Sequence, residues 1–496
     1  MILGRFYDII YSVKSIRYQK NAMNNIQQNS SNSKPVLSLD SVCSKQCLSL
    51  GYLLWQSGFR KRSGVPAFTI FTHILKSIFS GAKSLHDLFS LKSFDAPECS
   101  YDAVMRFISN GRYNWSKLML NLAKRACKII MDLNNKEHIN TLIIDDTIIE
   151  RSKSSRVEGL SYTFNHVIGK SVKGFTNLLI CWSDGFSTIP IASEMISSKN
   201  EKLIIRDFDK KIDHRTAGGI LRAHAKIRKP ELVVKLCKSI LNKGIKAQYV
   251  LMDTWFYSDA MVASLNELGL HSICMIKKNL KFSFVGETRA LSLKKILSCL
   301  KQKLGNTDII SAAEVESKSG QRFKLVFVRN RNNRKEFITI LSTDTTLSSE
   351  KIVELYSRRW SIECCFKAAK QFLGLNSECF GRDFDTVSAL NHISYIRFTI
   401  MEIIRRHAED VRSYGQIFRD CFDEIRTIPF LDALESLSKC FESLVTKLDH
   451  AGCIVAGKLE LAYHIANDVI NKWYASICNF IAKMMRPENI PLILKN

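Results

Sequence analysis

The sequence predicts an α/β fold, with a sheet in the middle of the chain, helices around it and further helices at both ends. Two observations carry this. Dense β-branched runs begin at residue 139 and recur, separated by amphipathic stretches, as far as residue 345. Before and after that region the apolar residues return every three or four positions, the spacing of a buried helix face. At 496 residues the chain is too long for one compact core, and a hydrophobic content of 46% is enough for several.

Residues 1–36 end in "NAMNNIQQNSSNSKPV", polar and low in complexity, and are expected to form a flexible segment. Residues 37–138 read as helical and basic. "PAFTIFTHILKSIFSGAKSLHDLFSL" and "NWSKLMLNLAKRACKIIMDL" both set Lys and Arg opposite an apolar face. A DNA-binding domain and a plain helical bundle fit that pattern equally. "INTLIIDDTIIE", residues 139–150, is a buried strand ending in acid. "FTNLLICWSDG" and "FSTIPIASEMI" form a hairpin about an Asp-Gly turn. In the basic helical region that follows, "KKIDHRTAGGILRAHAKIRKPE" suits a DNA groove or a solvated face. "AQYVLMDTWF" (247–256) is a second buried strand, "DAMVASLNELGL" a helix and "HSICMIKK" a third strand. Residues 281–345 alternate polar and apolar in short runs, as a β-rich insertion does. From residue 385 onward the chain is mostly helical, and His392 in "LNHISYI" reads as a core histidine.

With 72 basic against 47 acidic residues the formal net charge is +25. An excess that large points to a polyanionic partner, nucleic acid first. No apolar run reaches the roughly 18 residues of a membrane span, and the N-terminus has no secretory h-region. "MILGRFYDIIYSVKSIRYQK" offers at most a weak interfacial helix. The 15 cysteines include no CxxC pair, and Cys43 and Cys47 lack a partner pair at finger spacing. Cys237, Cys274 and Cys299 sit in apolar patterns, where a free cysteine acts as a small hydrophobe. No structural zinc is expected, and a reducing compartment fits.

"ELYSRRWSIECCFKAAK", residues 354–370, concentrates the polar chemistry. On a helix turning about 100° per residue, Arg359, Glu363 and Lys370 fall at about 300°, 340° and 320° from Tyr356. The four make one stripe roughly 60° wide beside the apolar seam of Leu355, Ile362, Phe366, Ala369 and Leu373. Glu363 can be held rigidly there; pairing with Arg359 and Lys367 on a solvated face is the plainer alternative. Other acids give it partners. One comes from the pair Asp145 and Asp146, and another is Asp253 at the end of the 247–256 strand. Alone, each has an ordinary use as a turn former or helix cap. Together, two strand acids and a helix acid suit a pair of divalent cations about 4 Å apart, serving displacement at phosphorus. Hard oxygen ligands favour Mg²⁺ or Mn²⁺. Strand periodicity does not choose between Asp145 and Asp146.

Tyr356, Arg359, Glu363 and Lys370 stand at the spacing Y-(2)-R-(3)-E-(6)-K. This signature resembles that of the bacterial insertion-sequence DDE transposases of family four. "IIDDT" is similar to that family's first-Asp strand, in which the metal ligand directly precedes Thr, so the resemblance selects Asp146. "VLMDTWF" is similar to the second-Asp strand. The likeness runs over residues 140–375 and includes a β-rich insertion before the Glu helix. It implies a ribonuclease-H-like core, a mixed sheet flanked by helices, made of residues 139–280 and 346–384. Residues 281–345 would be inserted into it, and 37–138 and 385–496 would be helical flanks.

The resemblance further implies that Asp146, Asp253 and Glu363 are catalytic and bind two Mg²⁺ ions, with Mn²⁺ able to substitute. The implied reaction is cut-and-paste transposition: nicking at the element ends, then attack of the freed 3′-OH on the opposite strand and on target DNA. Tyr356, Arg359 and Lys370 would contact the phosphate backbone near the cleaved end. Trp360 would stack on an unpaired base or pack in the core, and Phe337 stands roughly where hairpin-forming members flip a base. The implied partners are double-stranded DNA, as terminal inverted repeats and target, and a second copy in a synaptic dimer. The implied location is the bacterial cytoplasm, at the nucleoid and away from membrane. A ribonuclease-H-like nuclease without strand transfer and an inactive DNA-binding repressor are the competing readings.

Overall fold

The structure, a computed structural model, describes residues 39–80, 85–86, 99–134, 138–301, 308–330, 333, 336–378, 381–407, 412–426 and 465. The expected flexible segment 1–36 and nearly all of the C-terminal region beyond 426 lie outside these residues. The chain divides into two compact units, residues 1–60 with 108–411, and residues 61–107 with 412–496.

The first unit is built on a sheet whose strands follow from β-branched and alternating runs. They are β1 (Thr141–Glu150), β2 (Ser161–Asn165), β3 (Lys170–Ser183), β4 (Thr188–Ile196), β5 (Tyr249–Met252), β6 (His271–Met275), β7 (Lys281–Phe284), β8 (Leu291–Ser292), β9 (Ile309–Glu316), β10 (Arg322–Arg329) and β11 (Phe337–Ser342). Across the sheet the order is β2-β3-β1-β5-β6-β11-β10-β9-β7-β8, with β4 also paired to β3. β1, β5 and β6 run parallel, while β3 on one side and β11 on the other join antiparallel, so the sheet is mixed. The strands between 281 and 345 do not form a body of their own. β11 pairs with β6 through Ile340 and Met275, and the sheet simply continues.

The helices of this unit are α1 (Leu39–Cys43), α2 (Leu50–Gln56), α5 (Trp115–Leu133), α6 (Ala217–His224), α7 (Lys229–Asn242), α8 (Asp259–Glu267), α9 (Leu293–Cys299), α10 (Ser349–Ser357), α11 (Trp360–Phe372) and α12 (Phe384–His407). α12 is buried along its length from Phe384 to Ile404, against α1, α5, α6, α11 and β4. A helix buried all round must satisfy its polar side chains internally. Tyr395 donates to Asn177 Oδ1 at 2.6 Å, Asn391 donates to Ser193 at 2.7 Å, and Glu402 accepts from the Thr188 amide at 3.0 Å. His392 is a core residue, with Nδ1 2.7 Å from the Ser388 carbonyl, and burial lowers its pKa. Among the cysteines, Cys237 and Cys274 are buried, but Cys299 is exposed at the last position of α9, where Leu293, Ile296 and Leu297 take the inner face.

α6 docks on α12 through charge. Arg222 forks onto Glu158, at 2.7 Å to each oxygen, and reaches Asp385 at 2.8 and 3.1 Å. Gly218 makes the approach possible, because a Cβ there would lie 2.1 Å from Asp385 Oδ1. The basic run around residue 222 is therefore partly structural: Arg222 is buried, while Lys210, Lys211, His214 and Arg215 are exposed.

The segment 354–370 is two helices, α10 and α11, parted at Arg358 and Arg359. Both keep helical dihedrals, but the bonds tighten to three residues back: Arg359 N to Tyr356 O at 3.0 Å and Ile362 N to Arg359 O at 3.2 Å. α10 packs on β6, β9, β10 and β11, and α11 on β1, β4 and α12. A single stripe counted at about 100° per residue does not run through this break.

The second unit contains α3 (Ala67–Ser77), α4 (Tyr101–Ile108) and α13 (Tyr414–Arg426). A 3₁₀ turn at Ile78–Ser80 packs on α13, with Phe79 and Phe418 ring centroids 5.2 Å apart. Among the described residues no helix is long and apolar enough to cross a membrane.

Candidate active site

β1 brings two adjacent acids to the centre of the sheet, and alternation sends them to opposite faces. Asp145 Oδ2 accepts from Arg359 Nη1 at 2.8 Å, and Arg359 Nη2 donates to Glu363 Oε1 at 2.7 Å. One guanidinium thus joins a strand carboxylate to a helix carboxylate. Asp146 points the other way, where Oδ2 accepts from Lys229 Nζ at 2.6 Å at the start of α7. Thr147, back on the Asp145 face, accepts from Lys370 Nζ at 2.6 Å.

Asp253 lies directly after β5. Ile144 pairs with Met252, the last residue of that strand, in the parallel register of β1 and β5. Asp253 does not cap the following helix; Ser258 does, accepting from Met261 N at 3.2 Å. Its Oδ1 accepts from the Thr254 amide at 2.6 Å. Tyr356 lies between the groups. Arg359 is 6.0 Å from its ring centroid, and burial raises its pKa, with Arg359 opposing the rise and Asp253 and Cys274 adding to it.

The electrostatics are set first by burial. Burial pushes the Asp145 carboxyl up to about 7; Arg359 opposes the rise, while Glu363 and Asp146 reinforce it. Burial also lowers the pKa of Lys370, against the pull of Glu150.

The sequence-derived residues are therefore divided. Arg359 joins Asp145 to Glu363 beside the Tyr356 ring, Asp253 acts on Tyr356, and Lys370 reaches the Asp145 face through Thr147. Asp146 does not join them: the position facing Glu363 belongs to Asp145, because α11 covers the opposite side of β1 from Lys229. Tyr356 and Arg359 are 7% and 6% exposed, engaged with protein groups rather than presented at the surface. Trp360 is half-buried at the start of α11, and Phe337 meets Phe327 edge-on at 5.6 Å. Lys229 and Thr147 were not singled out by the sequence, since their roles depend on which face each helix covers.

Residues 81–292 match the family described as DDE superfamily endonuclease, and residues 220–394 match the one described as transposase DDE domain. The two matches support a DDE-superfamily transposase or endonuclease domain within residues 81–394. The search of curated proteins returns no match. The DDE matches overlap over residues 220–292, which hold Asp253; the first also spans Asp145 and Asp146, and the second spans Glu363.

A DDE domain implies divalent metal. The donor chemistry here fits: Asp145 and Glu363 are carboxylates, hard oxygen ligands, held by one guanidinium. Among the described residues no three His, Cys, Asp or Glu side chains are grouped closely enough to hold an ion. Arg359 supplies the cation between Asp145 and Glu363 in the arrangement seen.

Proposed function

We propose that the chain is a cut-and-paste DNA transposase of the insertion-sequence type, of family four, acting by phosphoryl transfer at the face of β1 and β5. One observation carries the reading: Asp145 shares Arg359 with Glu363, within the stretch that the DDE family models match. Asp145, Asp253 and Glu363 would be the metal ligands. Asp146, selected by its place before Thr147, remains the competing first ligand. The chemistry supplied by a bound pair of Mg²⁺ ions, or Mn²⁺, is Lewis-acid assistance to in-line displacement at phosphorus.

The chain's own residues orient the substrate. Arg359, released from the two carboxylates, has the planar fork for a phosphate, and Lys370 and Tyr356 border the same place. The net charge of +25 favours a polyanionic partner, duplex DNA as element ends and as target. Two ends joined in one complex call for a homodimer.

The test is a supercoiled plasmid bearing the element's terminal inverted repeats. Mg²⁺-dependent cleavage at the ends and joined products are expected from the wild type. Asp145→Asn, Asp253→Asn and Glu363→Gln are expected to fall to background, and Asp146→Asn to retain cutting. Loss of cutting in Asp146→Asn with full cutting in Asp145→Asn would restore Asp146 as the ligand. A nuclease that cuts without joining is the second reading, favoured by the endonuclease description of the match over 81–292. Cleaved ends with no strand-transfer product would establish it.

A further inference from the structure

Asp146 and Lys229 meet on the face of β1 opposite Arg359. Lys229 Nζ lies 2.6 Å from Asp146 Oδ2, with 41% of the lysine side chain and 26% of the aspartate exposed. A pair so open to water adds little to stability. It is not what holds α7 on the sheet, since that helix already buries Leu232, Val233, Leu236, Cys237 and Ile240. What the pair does hold is a particular stretch of backbone.

β1 is paired on both sides only as far as Ile144. There its parallel register with β5 ends, at Met252, while β3 goes on pairing with β1 through Asp145 and Asp146 to Glu150. Just past that point the Asp146 amide donates to Asp145 Oδ1 at 2.8 Å, and Arg359 donates to Asp145 Oδ2 at 2.8 Å. The peptide between the two acids thus sets how the Asp145 carboxylate is turned. Asp253 is held in the same manner, its Oδ1 accepting from the Thr254 amide at 2.6 Å. Rotating the Asp145–Asp146 peptide swings both side chains, which alternation keeps on opposite faces. Lys229 ties the Asp146 side chain to the start of α7 and so resists that rotation from the far face.

We propose that Lys229 and Asp146 are positioning residues for Asp145: the ion pair on one face of β1 fixes the peptide whose amide orients the metal-binding carboxylate on the other. This rests on the reading of Asp145 as a ligand of the divalent cation, and gives the second acid a task of its own. The arrangement also sets a sign. Were Asp146 a ligand itself, loss of Lys229 would free it, and removing a nearby ammonium favours any bound cation. Acting through Asp145, loss of either partner instead weakens cation binding, by the roughly tenfold that follows loss of a group orienting a metal ligand.

The test titrates the full-length protein with Mn²⁺ alone and follows the free ion by electron paramagnetic resonance, beside a melting curve for each variant. The wild type is expected to bind Mn²⁺ at a site that Asp145→Asn abolishes. Lys229→Met and Asp146→Asn should each bind about tenfold more weakly, and the variant carrying both changes no more weakly than either alone. The double variant strands no charge, so it keeps the comparison open even if a single variant fails to fold. Lys229→Arg, which keeps a donor for Asp146, should retain most of the affinity. The proposal is overturned if Lys229→Met binds Mn²⁺ as tightly as the wild type, or more tightly, whatever its melting temperature. It is also overturned if the double variant binds as the wild type does, or if the two losses add, since the residues then act separately. A wild type whose Mn²⁺ binding does not depend on Asp145 removes the ligand reading, and the proposal with it.

Discussion

Arg359 holds two carboxylates with one guanidinium, and all three side chains retain little contact with water, at 7% exposure for Arg359, 17% for Asp145 and 22% for Glu363. Removing the cation leaves two acids facing each other. Arg359→Met is expected to cost about 2–3 kcal/mol, below the loss for a fully buried pair because both acids keep some water. Mg²⁺ should then raise the melting temperature of the variant more than that of the wild type, by binding the native state where the arginine was. Equal shifts in the two proteins, read by calorimetry, would show that Arg359 does not stand in the cation's place. The adjacent acids mark a limit of reading by sequence. Two neighbouring strand residues face opposite sides, and only the landing place of α11 decides which of them meets Glu363. The preference for the residue before Thr carries no information about facing, so the sequence does not show that Asp145 is the one that meets Arg359.

Elements were legible where their patterns are local. β1, the β3–β4 hairpin, β5, α8 and β6 all arise in the stretches that β-branching, turn residues and helical spacing mark out. The break at Arg358–Arg359 was not legible, because no proline or glycine signals it; α10 and α11 part because they pack on different strands. Nor does the pattern around Arg222 show that a lysine- and arginine-rich run hides a buried ion cluster. That cluster makes an element-level prediction. Burial alone would raise the Glu158 pKa, but the Arg222 fork and the amides of Asp209 and Phe384 more than offset it, and the shift is downward. The folded protein therefore binds fewer protons here than the unfolded chain. Its stabilisation is full above the ordinary glutamate pKa of about 4.3 and is lost as pH falls through the lower folded value. Glu158→Gln should lower stability at neutral pH and flatten this part of the acid limb in a melting-temperature profile. Arg222→Met, which strands Glu158 and Asp385 without a cation, should cost about 3–5 kcal/mol. A melting temperature unchanged in Arg222→Met would mean that the cluster does not hold α6 to α12.

For the whole molecule the decisive quantity is the charge of +25. If that charge serves DNA, the logarithm of duplex affinity should fall linearly with the logarithm of salt concentration, with a slope of about −0.9 for each phosphate neutralised. Affinity indifferent to salt, measured by fluorescence anisotropy, would count against a backbone-led interface. The chain's path also has a consequence for synthesis. The second unit joins segments from either side of the first, and Phe79, 1% exposed, meets Phe418, 339 positions later (418 − 79). Closing so long a loop is slow. A nascent chain therefore emerges with the 3₁₀ turn at Ile78–Ser80 uncovered until α13 has been made, even while the sheet is already able to form. Exposed apolar surface of this kind is what chaperones bind, so chaperone association is expected to persist until α13 has emerged.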